Sequence, residues 1–321
     1  MAFRPMNIRV LCDGLGFTEG PTITEDGAIA CVSIDQGRLY RLDAHGLSIL
    51  AQLGGGPNGA TSDAEDVLYV SQNGGNWMRN PNPGRTEPGM TGGVQSVTPS
   101  GEVGWVSRDP LAPNDICFGP DGFLYVTDPT RDRKYNDGRL WRCDRSTGET
   151  EILATVSWFC NGIGFGVDNA LWVASSGDGK MVRYAVSAAG LQGGEAVFQL
   201  EDRYPDGFTF DTHGNLIIGA LSRTQDPGEV QVWTPEGRLL DRVRIGDSRH
   251  YTNTVLDGSG RLVVTDSDGG RVLCVDDWPA TGLALYPRRH GLLQAPSISA
   301  AVLATSSELG QNTPTAPLSA P

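Results

Sequence analysis

No stretch of this sequence approaches the roughly 20 consecutive apolar residues that a membrane-spanning helix needs. The opening residues, MAFRPMNIRV, contain no apolar core of the kind a secretion signal carries, so a cytoplasmic location is expected. Basic residues are in deficit: 25 Lys and Arg stand against 38 Asp and Glu, a net charge of -13. Nucleic acids and anionic membranes both ask for a basic face, and neither is expected as a partner. The six cysteines, at positions 12, 31, 117, 143, 160 and 274, form no CxxC pair and no short zinc-type spacing. Cys31, Cys117, Cys143 and Cys274 fall inside strand-like patterns, where a thiol behaves as a small apolar group. Reduced thiols follow. Cys160 differs in directly preceding Asn161, but no His stands beside it in sequence to make it a nucleophile.

What the chain has instead is a repeat. Six times a short polar step precedes an apolar strand that ends in a Gly turn: FTEGPTITEDGAIACV, PNGATSDAEDVLYV, PNDICFGPDGFLYV, CNGIGFGVDNALWV, PDGFTFDTHGNLII and TNTVLDGSGRLVVT. The polar step is anchored by Glu19, Asn58, Asn114, Asn161, Asp206 and Asn253, which are 39 to 56 residues apart. A period of that length marks one supersecondary unit used repeatedly. Within a unit, alternating strands and Gly-containing turns read as a four-stranded antiparallel meander. The expected fold is therefore an all-β, six-bladed β-propeller over residues 1–290, with Ile8 to Cys12 and Arg271 to Val275 sharing the last blade. Residues 291–321, rich in Ala, Ser, Thr and Pro, read as a weakly ordered tail. The longest gap comes from the segment Gln72 to Gly93, whose Gly, Asn and Pro content argues for a long loop over the binding face.

If each anchor opens the innermost strand of its blade, the following Gly hairpin lies at the opposite face of the disc. Loops after the second strands then return to the anchors' face. That logic gathers Trp77, Met78, Arg79, Arg131, Tyr135, Trp158, Phe159, Tyr204, Arg223, His250, Tyr251, Asp266 and Asp268 there. It excludes His45 and His213, which sit in hairpin turns.

Turn chemistry alone explains Asn and Asp before Gly. It does not explain Glu19, which makes no local turn mimic yet falls at a position that ring closure points at the axis. Glu19, Asn114, Asn161 and Asp206 would aim oxygens at one axial spot. Two carboxylates converging with amide oxygens repel unless a cation lies between them. Hard oxygen donors favour one divalent cation, Ca²⁺ first because of its large irregular shell, with Mg²⁺, Mn²⁺ or Zn²⁺ as alternatives.

The motifs FTEGP, APND, CNG and PDG, in that order and at those blade positions, resemble the senescence marker protein 30, gluconolactonase and luciferin-regenerating-enzyme family of six-bladed propellers. The resemblance runs from Gly16 to Asp276. It implies that Glu19, Asn161 and Asp206 are metal ligands, that Asn114 coordinates the metal or touches the substrate, and that Asp206 is also the catalytic acid/base. His250 is a second candidate base. Members are metal-dependent lactonases, and the related diisopropylfluorophosphatase hydrolyses phosphotriesters. Two departures bear on the substrate. Sugar-lactone enzymes of the animal type carry an Arg two positions before the matching asparagine, where this chain has Ala112, and the phosphotriesterase-type histidine of the last blade is replaced within TDSDGG, at Ser267. The expected activity is metal-dependent opening of a lactone of apolar or aromatic character, with Asn114, Trp77, Trp158, Tyr204 and His250 touching the small-molecule substrate. Hydrolysis or isomerisation of another small molecule, such as a sugar lactone or phosphotriester, and a non-catalytic binding propeller with a structural cation are the alternatives.

Overall fold

The computed structural model describes residues 6–75, 90–129, 138–187 and 189–287. Its regular elements are all strands, arranged as six four-stranded antiparallel sheets, which make the six-bladed propeller expected from the repeat. Blade 1 runs outward from the axis through Thr18–Ile23, Ile29–Ser33, Arg38–Asp43 and Gly46–Gln52. The innermost strands of blades 2 to 6 are Pro57–Ser62, Ile116–Phe118, Cys160–Phe165, Arg203–Phe210 and Tyr251–Leu256. These pack against one another around the axis. Local chemistry explains the first hairpin: Gly27 takes φ 84°, a conformation a side chain resists, and Thr24 both donates to and accepts from the turn.

Each strand presents alternate side chains to its two neighbouring blades, so the protein has six apolar clusters, one in every seam. In the seam between blades 5 and 6, for example, Ile217 and Val230 meet Tyr251, Leu256, Leu262 and Val264. Fully burying one such aliphatic side chain contributes about 1.5–3 kcal/mol, and the contribution is spread evenly around the ring. The ring closes as the sequence implied. Ile8–Cys12 pairs with Arg271–Val275 as the outer strand of blade 6, and Arg9 holds Asp276 through two hydrogen bonds of 2.7 and 2.8 Å.

The Gln72 to Gly93 segment is more regular at its ends than its composition suggested. Gln72 and Asn73 complete the strand Leu68–Asn73 and pair with Gly93 and Gly92 of the strand Gly92–Val97. The buried Gln72 amide explains this, because its Oε1 accepts from Gly56 and Gly74 while its Nε2 donates to Gly54 O and Gln95 Oε1. Residues 76–89, with the candidate substrate contact Trp77, and residues 291–321 lie outside the described residues. No described helix is long and apolar enough to cross a membrane.

At the face away from the anchors, the chain after blade 6 crosses the disc. Trp278 donates to Gly260 O, Thr212 to Thr281 O, Leu283 to Phe210 O, and Tyr286 Oη to Asn169 Oδ1. Leu283 to Tyr286 thereby close the lower end of the axial cavity.

Candidate metal and catalytic site

Five of the six innermost strands carry one extra residue at or beside the anchor. Glu19 to Thr22 spans three steps opposite two steps from Val32 to Ala30, and the same offset occurs at Pro57/Ala60, Cys160/Ile163 and Pro205/Phe208. A bulge of this kind bends the strand and re-aims a side chain. The amide hydrogens it displaces from the ladder are taken up by hydroxyls of the next strand: Gly59 N donates to Ser71 Oγ, Asp115 N to Thr127 Oγ1 and Asn253 N to Thr265 Oγ1, at 2.7–3.0 Å. Hydroxyls from the same region also reach the following blade. Ser71 donates to Asn114 O, Thr127 to Asn161 O at 2.7 Å, Ser176 to Pro205 O at 2.6 Å and Ser267 to Thr18 O at 2.5 Å. These bonds set the height of one anchor against the next.

The Gly that follows most anchors has a packing reason. A Cβ on Gly20 would meet the backbone of Asn58 to Ala60, one on Gly162 the Asp206 carbonyl, and one on Gly207 the side chain of Asn253. Blade 3 breaks the pattern by placing Asp115 in that slot, and its carboxylate occupies the space left by Gly59. Asp115 was not among the residues the sequence singled out, although a carboxylate where Gly is the rule is a readable signal.

Glu19, Asn114, Asn161 and Asp206 are all buried, three of them in the innermost strands of their blades and Asn114 just before another. Asn161 donates its amide nitrogen to Ser176 Oγ at 3.0 Å, which leaves Oδ1 as the atom offered to the axis. Asn253 is committed otherwise: its Oδ1 accepts from Thr254 N at 2.8 Å and its Nδ2 faces Asp115 Oδ2 at 3.5 Å. Burial drives the Glu19 carboxyl well above its ordinary range, with the negative charges of Asp206 and then Asp115 adding to the rise, while the Thr252 hydroxyl and Gly20 N–H oppose it. Asp115 is raised to about 6 by burial, against hydrogen bonds from the amides of Ile116 and Ile163 and from Asn253. A buried carboxylate whose strongest charged influences are themselves negative fits a site built to receive a cation. Among the described residues no three or more His, Cys, Asp and Glu side chains form such a group, so a cation at the axis needs the asparagine oxygens as well as the two carboxylates.

The other expected contacts lie at different depths. Trp158 is half-buried and packs against the blade 3–4 seam. Tyr204 is half-buried beneath the Arg223 guanidinium, 4.2 Å from its ring centroid. His250 is 5% exposed, with Nδ1 2.6 Å from Asp268 Oδ1. Tyr251 lies in the blade 5–6 seam, fully buried, its hydroxyl accepting from Ser248 N at 3.1 Å; alternation along the strand turns it away from the mouth. Ala112 is buried and its N–H donates to Asp128 Oδ1 at 2.9 Å.

All six cysteines are free, and five are buried. Cys160 is pushed up to about 12 by burial and by the Asp128 charge, and its Sγ leans on the Arg139 carbonyl at 3.6 Å. A protonated, enclosed thiol is a poor nucleophile. The folded protein should therefore leave Cys160 unlabelled by a chromogenic disulfide at neutral pH, with all six thiols reacting once it is denatured. Fast labelling of Cys160 in the native state would return it to the list of nucleophiles.

The sequence profile of the family described as the SMP-30/Gluconolactonase/LRE-like region matches residues 17–268. Among solved structures, the chain is similar to a gluconolactonase from Xanthomonas campestris at 18% identity, with a TM-score of 0.69 over 87% of this chain and 90% of that one. It is similar to a luciferin-regenerating enzyme at 16% identity, with a TM-score of 0.72 over 89% and 100% of the two chains. It is likewise similar to the calcium-binding protein regucalcin from Agrobacterium tumefaciens at 15% identity, with a TM-score of 0.71 over 90% and 100%. Likeness at these identities shows the fold. No curated protein matches the chain.

Proposed function

Because the chain belongs to the SMP-30/gluconolactonase/LRE-like family, we propose that it is a divalent-cation-dependent lactonase whose working site is the ring of anchors. The observation that supports this reading is that four oxygen-bearing side chains, Glu19, Asn114, Asn161 and Asp206, are buried in or just before innermost strands, with the Asp206 charge acting on Glu19. Fold alone does not fix chemistry, and these groups are what point to it. Glu19, Asn161 and Asp206 would hold the cation, with Asn114 as a fourth donor or a contact to the substrate. Ca²⁺ is the first choice for an all-oxygen set that mixes carboxylates with amides, and the calcium-binding regucalcin of the same fold agrees with it. When bound, such a cation stabilises negative charge developing on a carbonyl oxygen.

The remaining work falls to the chain itself. Thr252 and the Gly20 amide face the Glu19 carboxyl and favour its ionised form. Ser176 fixes the Asn161 amide, and through its bond to Pro205 O also fixes the residue before Asp206. Asp206 takes a proton from the attacking water. A positioned general base of this kind typically contributes roughly 10² to 10⁴ in rate.

The substrate is a lactone with apolar or aromatic substituents. Ala112 offers no charged group for a polyhydroxylated ring, and its own amide is tied to Asp128. The half-buried rings of Trp158 and Tyr204 support the same preference. Aliphatic, aromatic and sugar lactones assayed with each divalent cation test both statements. Hydrolysis that disappears on chelation and returns with one cation is expected, with kcat/KM higher for apolar lactones than for gluconolactone. Hydrolysis indifferent to chelation removes the metal from the mechanism, and a preference for the sugar lactone reverses the polarity argument.

A further inference from the structure

The seam between blades 6 and 1 holds a second functional group above the anchors. His250 and Thr252 both face blade 1: the His250 ring lies 6.4 Å from the Phe17 ring, and Thr252 Oγ1 donates to Thr18 O at 3.3 Å. Thr252 also faces the Glu19 carboxyl and opposes its upward shift. The backbone continues the ladder on both sides, since Ile34 N donates to Phe17 O and Ser267 N donates to His250 O, each at 3.0 Å. Phe17 and His250 therefore form a layer two residues beyond the layer of Glu19 and Thr252. By the chain direction of Thr18–Ile23 and Tyr251–Leu256, the imidazole stands outward of the Glu19 carboxylate along the same seam. That is the height at which a substrate held over the anchors would lie.

The ring is held in a defined orientation. It is buried, its Nδ1 is 2.6 Å from Asp268 Oδ1, and the neighbouring Ser267 is fixed by hydroxyl bonds to Thr18 O and to Thr252 Oγ1, each 2.5 Å. With Nδ1–H donated to a carboxylate, proton exchange with a substrate runs through Nε2. Of the three described histidines, His45 and His213 lie in hairpin turns at the opposite face, and His250 alone is at the anchor end.

Ring opening needs two proton transfers, and Asp206 accounts for one. We propose that His250, oriented by Asp268, is the general acid that protonates the departing ring oxygen, an inference that rests on the lactonase reading. Water oxygen bonds to the carbonyl carbon as Asp206 takes one of its protons. The acyl carbon to ring-oxygen bond then breaks, its electron pair passes to the ring oxygen, and that oxygen takes the proton from His250 Nε2. The product is the hydroxy acid. The proton gained by Asp206 and the one lost by His250 balance, so one transfer through solvent resets the pair. An alkoxide leaves far less readily than an alcohol, so the benefit is largest for lactones of aliphatic alcohols and small for those of phenols. Asp268 is a positioning residue.

The test compares the parent protein with His250→Ala, His250→Gln and Asp268→Asn, on one aliphatic-alcohol lactone and one phenolic lactone. The expected result is a loss in kcat of about a hundredfold for the His250 variants on the aliphatic lactone, within the usual span for a proton-transfer group, and less than about tenfold on the phenolic one. Calcium affinity by calorimetry and the melting temperature stay at parental values, and added imidazole restores part of the lost kcat in His250→Ala. Asp268→Asn loses about tenfold and removes the low-field Nδ1 proton resonance of the parent. Equal losses on both lactones with no imidazole rescue, or an unchanged kcat, would overturn the assignment while leaving the lactonase reading intact. A parent protein that hydrolyses neither lactone overturns both.

Discussion

Replacing Glu19 by Gln or Asp206 by Asn lowers the affinity for a divalent cation by roughly a hundredfold or more. Even outer partners of a metal site cost about 10- to 100-fold when removed, and these two carry the negative charge of the proposed donor set. The effect follows from the electrostatics of these carboxyl groups. Burial and the nearby Asp206 and Asp115 charges already disfavour the Glu19 carboxylate, so only a cation makes two ionised groups at the axis favourable. Each substitution keeps the shape and removes one charge. Calorimetric titration with Ca²⁺ reads the change directly, and the Tm without cation should hold or rise, because a repulsion has been relieved. Parental affinity in both variants would move the cation away from the anchors. Asn161→Ala should weaken binding less, since it removes a neutral donor, while leaving Ser176 without its amide partner.

The second large effect is a stability that falls with rising pH in the cation-free protein. Glu19 and Asp115 both have higher pKa values folded than unfolded. Between the two values the folded chain binds the additional proton, so the stability is present at low pH and is lost as pH climbs through the window. For Asp115 that window runs from the ordinary carboxylate range to about 6, and Glu19 adds to the loss above its own ordinary range. Asp26, Asp168, Asp257 and Asp276 are lowered instead, and their contribution is already complete above the ordinary range. Between about pH 5 and pH 8 the raised pair therefore dominates: Asp115 alone loses on the order of 1.4 kcal/mol across this range, and Glu19 adds to the loss. At about 2–4 °C per kcal/mol for a large domain, the Asp115 share alone lowers Tm by roughly 3–6 °C. Saturating Ca²⁺ should abolish most of the slope, because ligand bound to the folded state restores about 2.7 kcal/mol at a hundred times Kd. Asp115→Asn should remove its share of the slope with or without the cation. A Tm that is flat across this range after chelation would contradict the buried-carboxylate account.

The repeat was legible because its signals are local. A polar anchor, an alternating strand and a Gly hairpin lie within about twenty residues, and six copies identify the ring, the inner strands and the closing pair of termini. Glu19 stood out as the wrong residue for a turn, and its burial at the axis follows from the bulge it occupies. The polarity of the Gln72 to Gly93 segment was a poor guide at its ends, where one buried glutamine satisfies the neighbouring backbone. Asp115 escaped notice because its importance depends on Gly59 of another blade making room for it.

The sequence by itself determined the number of blades, their innermost strands and the pairing of the two chain ends that closes the ring. Tertiary structure decided which side chains beyond the anchors join them. A bulge inserts one residue and shifts the period of two, so the direction of Tyr251, His250 and Thr252 is set by the local register with the neighbouring strand and not by counting from a distance. Partnerships such as His250 with Asp268, Thr252 with Glu19 and Asn253 with Asp115 join positions 18 to 233 residues apart, two of them in different blades. Only closing the ring brings those groups to one axis.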